Sequence, residues 1–145
     1  AFQALCRMVR AQGGDDRTLS DFSRFDTAKW SEEVLSPADG WITHTDTEAI
    51  GLSAVLLGAG RETKDSPIDV SAGLYLMKKT GDRVRKGEAI ARLLSNRRDC
   101  LPAAAEKLLR AVSIGDEKPE DVPLIHARIH REGAERFGIS PNGDL

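Results

Sequence analysis

The residues able to do chemistry in this chain fall in a few places. The run Leu57-Gly58-Ala59-Gly60-Arg61-Glu62-Thr63-Lys64-Asp65 sets two cations, Arg61 and Lys64, beside glycines, a composition suited to an anion. A phosphate-binding loop places its glycines ahead of a helix, so that backbone N–H groups and the positive helix end face the anion. Here the glycines follow a helical pattern, at its negative end, and no Lys-Ser or Lys-Thr pair closes the loop. The run reads as a helix stop and an exposed loop, 61–67, in which Arg61 and Lys64 are the candidate contact residues. His126 and His130 stand four apart, a spacing that chelates metals on a helix. Ile125, Ala127 and Ile129 alternate with them, which is strand periodicity, and four strand residues span about 13 Å, too far for one ion. That pair reads as a solvated face, with no metal expected.

Residues 78–98 hold eight basic residues against two acidic ones, Asp82 and Glu88. A nucleic-acid surface interleaves aromatics with such charge. Only Tyr75 is near, so the run reads as solvated hairpin faces. Asp15-Asp16 and Glu32-Glu33 sit in polar stretches and read as surface carboxylates, not an acid–base pair. Neither Cys6 nor Cys100 lies in a nucleophile signature, and no G-x-S-x-G occurs. No nucleophile–base set can be assembled, so no catalytic residue is assigned and no cofactor is expected.

The elements that must position these residues belong to one domain of ordinary size. At 145 residues the chain matches the usual domain range of roughly 100–150, enough to bury about two-thirds of its unfolded surface. A formal charge of −2 excludes a gross electrostatic commitment to nucleic acid or acidic membranes. Two distant cysteines give no disulfide framework and fit idle thiols of a reducing cytoplasm. No apolar run approaches the roughly 18 residues that span a bilayer, and the N-terminus has no signal-peptide pattern. Its first residues read as mid-helix, so the start is expected to be a cut.

Residues 1–12 show a helical stripe (Phe2, Leu5, Cys6, Met8, Val9) stopped by Gly13-Gly14. Residues 15–30 read as a polar connector. Strands are expected at 33–36 and 40–45 around the Pro37-Ala38-Asp39-Gly40 turn. Thr45 and Glu48 match a capping box for a helix closed by Gly58. Strands follow at 68–70 and 74–78, then Val84 and 89–94 after the Gly81-Asp82 turn. Asp99 and Pro102 open a second helix with the stripe Leu101, Ala105, Leu108, Leu109 and Val112, ended by Gly115. A linker at 119–123, a last strand at 124–130 and a frayed tail at 132–145 complete the reading. Interleaved strands and helices without βαβ spacing give an α+β fold. The domain limits are expected at 1–30, 31–131 and 132–145.

Several ordered matches identify a resemblance. Ala11-Gln12-Gly13-Gly14-Asp15, Asp39-Gly40-Trp41-Ile42, Asp46-Thr47-Glu48-Ala49-Ile50-Gly51, Leu57-Gly58-Ala59-Gly60-Arg61, Ile68-Asp69, residues 70–73, the Gly81-Asp82-x-Val84 turn and residues 87–91 resemble the C-terminal domain of thymidine and pyrimidine-nucleoside phosphorylases. The resemblance implies an α/β-hammerhead unit, similar to a barrel-sandwich hybrid. It also implies an N-terminal partner part of the same enzyme, a homodimer, and cytoplasmic nucleoside salvage. The implied reaction is pentosyl transfer, with inorganic phosphate as co-substrate, giving a free pyrimidine and a sugar 1-phosphate. The family's Lys-His-Ser-Thr-Gly-Gly phosphate loop does not occur here, so no catalytic residue transfers and this stretch alone is expected to be inactive. A charged, glycine-flanked loop is the kind that serves as a lid, which makes Arg61 and Lys64 part of an expected cleft-closing loop. Two alternatives follow from the residues: a stand-alone interaction module, and a biotinyl- or lipoyl-like carrier modified on Lys78 or Lys79, which the Gly81-Asp82 turn resembles in the wrong order.

Overall fold

The computed structural model describes residues 1–61, 63–121 and 125–137. The connector's polar residues close two 3-10 turns, Asp16–Leu19 and Phe22–Arg24, each started by an aspartate (Asp15, Asp21) whose carboxylate accepts a nearby backbone N–H. Ahead of them lies α1 (Phe2–Ala11), with nothing buried along it. It is tied to the first turn by the Arg10–Asp16 ion pair at 2.6 Å.

Two three-stranded antiparallel sheets form the body. In one, β5 (Ala89–Ser95) lies between β1 (Trp30–Leu35) and β3 (Gly73–Leu76); in the other, β2 (Gly40–Thr45) lies between β4 (Arg83–Val84) and β6 (Val112–Gly115). β5 reads Ala-Ile-Ala-Arg-Leu-Leu-Ser and buries Ile90, Ala91, Leu93 and Ser95, the near-continuous pattern of a strand covered on both faces. With Val34, Ile42 and Val84 these side chains meet Leu57 of α2 (Thr47–Leu57) and Leu101, Ala104 and Leu108 of α3 (Leu101–Arg110) in one core. The α+β class expected from the sequence is the observed one.

The turns that close the body place glycine where only glycine is comfortable. Gly81 has φ +92, its N–H donates to Ile42 O at 2.8 Å, and Ile42 N–H donates to Asp82 O at 2.9 Å. The Asp82 carboxylate accepts the Lys79 N–H at 2.7 Å, so the turn is self-bonded and docked on β2. The 85–88 turn repeats the device: Glu88 accepts the Arg85 N–H, Asp39 accepts the Lys86 N–H, and Gly87 N–H donates to Ser36 O.

Several expected boundaries differ. β1 starts at Trp30, not 33, because Trp30, Ser31 and Glu32 pair with Ser95, Leu94 and Leu93, and ladder pairing outweighs their polarity. The cap of α2 is Asp46, whose Oδ1 accepts the Ala49 N–H at 3.0 Å. Thr45 is instead the last residue of β2, paired with Val112. Ile68 and Asp69 are irregular and Val70-Ser71 form a turn, not a strand, because the Asp69 carboxylate bonds the Ser71 N–H and hydroxyl, a local competitor of sheet pairing. β3 stops at Leu76, two residues short of the expected end, although Met77 and Lys78 N–H groups still reach Ile90 O. α3 begins at Leu101 without a side-chain cap and ends at Arg110. Residues 112–115 form β6 on β2, so Gly115 terminates a strand. Val112 packs on the core, which is why it continues the helical stripe in sequence.

The tail also departs from expectation. β7 (Ala127–His130), within the strand expected at 124–130, pairs in a hairpin with β8 (Gly133–Arg136), which is made from residues expected to fray. Residues 119–121 are irregular; 122–124 and 138–145, within the expected linker, strand and tail, lie outside the described residues.

Among the described residues no buried side-chain nitrogen or oxygen lacks a partner. Ser95 is the most consequential case. Fully buried, its hydroxyl donates to Leu57 O at 2.7 Å and accepts the Arg97 N–H at 3.1 Å. Ser95→Ala should destabilise the fold by about 1–3 kcal/mol, since it leaves a buried carbonyl unmatched. Denaturant unfolding checks this, and an unchanged midpoint contradicts it.

Candidate functional site

The loop between α2 and β3 is built from its base upward. α2 is apolar enough to enter the core, and its last carbonyls must be satisfied. Gly58 turns the chain with φ +106, and Gly58 and Ala59 N–H groups return to Val55 O and Ala54 O, a left-handed helix stop. The remaining carbonyls are taken by the segment after β5. Arg97 Nη2 donates to Leu56 O at 2.8 Å, and Ser95 Oγ donates to Leu57 O. Arg97 thus sets a full charge against the negative helix end.

The two ends of the loop then meet, because Asp69 N–H donates to Gly58 O at 2.9 Å. Asn96 fastens that junction. Its Nδ2 donates to Asp69 Oδ2 at 2.8 Å and Ser71 Oγ at 2.9 Å, while its Oδ1 accepts the Lys29 N–H at 3.0 Å. One amide therefore joins the loop, β5 and the connector. Asp69 titrates below its ordinary range because the Ser71 hydroxyl, with help from Asn96, stabilises the carboxylate more than partial burial penalises it.

Beyond the base the loop folds back over α2. A Cβ on Gly60 would stand 2.7 Å from Val55 Cγ2, so the close approach needs a glycine. Thr63 to Ser66 form a turn, with Ser66 N–H donating to Thr63 O at 3.1 Å and the two hydroxyls 2.8 Å apart. Lys64 and Asp65 occupy its centre. Arg61 and Lys64, the two candidate residues, are both solvent-exposed. Between the loop and α2 lies an open hollow of about 300 Å³ walled by Val55, Gly60, Pro67, Ile68 and Arg97. The arrangement is a loop pinned at its base, with Arg61, Lys64 and Asp65 exposed. It contains no nucleophile–base pair among the described residues.

Other residues read from sequence are placed elsewhere. His130 lies on the exposed β7 with Nδ1 3.2 Å from Glu132, and His126 precedes that strand, also exposed. Among the described residues no three His, Cys, Asp or Glu side chains gather as a metal site. Asp15 pairs with Arg17 and Arg24, Asp16 with Arg10, and Glu33 with Arg92. The Arg17 side chain and backbone N–H hold the Asp15 carboxyl down at about 2. Lys78 is ion-paired to Glu88 at 2.7 Å, unlike a freely presented carrier lysine. Ser95, Asn96 and Arg97 were not found from sequence, because their partners lie far away along the chain. Only the Asp69-Val70-Ser71 turn had a local signal.

Two outcomes follow. Asn96→Ala should raise trypsin cleavage after Arg61 and Lys64 roughly tenfold, the effect of losing one net charge-assisted hydrogen bond; an unchanged rate contradicts the junction. Because the folded Asp69 pKa is depressed, its stabilisation is complete above the ordinary carboxyl range and is lost as pH falls through the folded value. The loop should therefore hold from neutrality to about pH 4 and loosen only below it, read from the Ser71 amide resonance. Loosening near pH 6 would contradict the assignment.

Comparison with known proteins supplies a family. The model for the pyrimidine nucleoside phosphorylase C-terminal domain matches residues 41–115, just over half of the chain. The pyrimidine-nucleoside phosphorylase of Geobacillus stearothermophilus is 36% identical over 129 residues, 89% of this chain and 30% of that protein. The pyrimidine-nucleoside phosphorylase of Staphylococcus aureus (strain USA300) is 33% identical over 116 residues, 80% of this chain and 27% of that protein. The chain thus spans under a third of the length of these relatives. The matched region runs from β2 to β6 and includes the Gly58–Asp69 closure, and on that agreement the chain belongs to the pyrimidine nucleoside phosphorylase C-terminal domain family.

Proposed function

We propose that this chain is the C-terminal hammerhead domain of a pyrimidine-nucleoside phosphorylase, where it buttresses the phosphate-binding lobe and lends the 61–67 loop to closing the cleft. The reaction is phosphorolysis. A phosphate oxygen bonds to C1′ as the C1′–N1 bond breaks, the bonding pair leaves with the pyrimidine, and the products are the free base and a sugar 1-phosphate. Such a step is favoured by donors fixed on the phosphate and by exclusion of water from the developing oxocarbenium.

The observation that supports this role is the loop's construction. Its base is fixed to α2, β5 and the connector by Asn96, Ser95 and Arg97, while Arg61 and Lys64 stand exposed at its far end. A loop fixed at its base and exposed beyond it is the construction of a closing element. The reaction's own donors and base-reading groups belong to the N-terminal part of the same enzyme, within a homodimer. The two open sheets and their self-bonded turns are consistent with the hammerhead architecture.

In the complete enzyme, replacing residues 61–67 by a short Gly-Ser linker should lower kcat/KM roughly tenfold or more, and unchanged kcat and KM would contradict the lid. The 145-residue chain alone should neither phosphorolyse thymidine nor bind phosphate in its cleft-facing loop. Measurable turnover by purified chain would overturn the division of labour.

A further inference from the structure

The eight cations of residues 78–98 do not share one fate. Lys78 pairs with Glu88 and Arg92 with Glu33. Arg97 caps α2, and Arg98 lies 4.9 Å from the centre of the Trp30 ring, a cation–π distance. The other four are Lys79, Arg83, Arg85 and Lys86. Three of them, Arg83, Arg85 and Lys86, are exposed and wall one open hollow of about 830 Å³ at the end of the β2–β4 ladder.

The acids on that wall are already engaged. Asp39 Oδ1 accepts the Lys86 N–H at 2.9 Å. Glu88 Oε2 accepts the Arg85 N–H at 2.9 Å, and its Oε1 faces Lys78 Nζ. These bonds hold the 85–88 turn in shape, so the carboxylates serve the backbone while none of the three cations has an ion-pair partner among the described residues. Gly87, at φ +83, and the Gly87 N–H to Ser36 O bond fix the turn against the body. Arg85 and Lys86 thus stand on a hydrogen-bonded turn and Arg83 on the adjoining strand β4, not on a flexible arm, which lowers the ordering cost of binding. Two of them are arginines, whose planar forks match phosphate oxygens bidentately. No aromatic ring lines the hollow, so it is not shaped to stack a base.

We infer that Arg83, Arg85 and Lys86 form an anion site for a polyphosphate group, separate from the 61–67 loop. The ligand class is a multiply charged phosphate ester or anhydride, because three exposed cations exceed the charge of about −2 that one phosphate carries. Free polyphosphate and the phosphate tail of a nucleotide present the same chemistry. The inference does not depend on the phosphorylase reading.

The test is arginine footprinting of the full-length protein with phenylglyoxal at fixed ionic strength, read by peptide mass. Tripolyphosphate should slow modification of Arg83 and Arg85 roughly fivefold or more while leaving Arg110 of α3 unaffected. Lys86→Ala should raise the tripolyphosphate concentration needed about tenfold, and Lys107→Ala should not. A nucleoside triphosphate protecting at the same concentration as tripolyphosphate identifies the phosphate tail as the ligand; protection by tripolyphosphate alone identifies the free polyanion. Equal protection by sulfate would overturn the site, reducing it to charge screening. So would protection by an RNA oligonucleotide only, unprotected Arg83 and Arg85, or failure of both arginines to react because the rest of the protein covers them. Phosphorolysis measured in parallel is a separate result, so either reading can fail without the other.

Discussion

β5 leaves the core at Ser95, and the next two residues settle the remaining hydrogen bonds of three other parts of the fold. Ser95 and Arg97 take the last carbonyls of α2, and Asn96 takes the connector at Lys29 and the loop at Asp69 and Ser71. A helix end placed in a core must find partners for its carbonyls or lose stability. Here those partners come from the strand that is itself the centre of a sheet. The position of α2, the closure of the loop at Gly58 and Asp69, and the attachment of the connector all depend on one three-residue segment.

That dependence explains what was legible in the sequence. Elements governed by local rules could be read: the α2 stop at Gly58, the Gly81-Asp82 turn and the apolar run of β5. Their signals are a left-handed glycine, a short turn and a buried strand. Elements governed by distant partners could not. Residues 112–115 continue the helical spacing of α3 and became a strand only because β2 offers an edge. Thr45 and Asp46 are both capable caps, and the choice fell to Asp46 because β6 holds Thr45 in the sheet. Asn96 carries no motif at all, since its three partners lie in the connector and the loop.

The candidate site shows the same division. Arg61 and Lys64 were legible as exposed cations beside glycines, and the structure places them so. What holds them there was not legible. The basic run is a further case, because sequence gives its charge without its pairing. Structure divides it between cations that stabilise the body, such as Arg97 and Lys78, and cations that face solvent together.

The proposed lid role requires that a fixed junction present a loop that orders when a cleft closes. Hydrogen–deuterium exchange of the complete enzyme, with and without phosphate and a pyrimidine nucleoside, tests it most directly. The account predicts that the amides of residues 63–66 and 68 slow on addition of both ligands, while those of residues 95–97 are protected in both states. Exchange at 63–66 and 68 that ignores the ligands would contradict it.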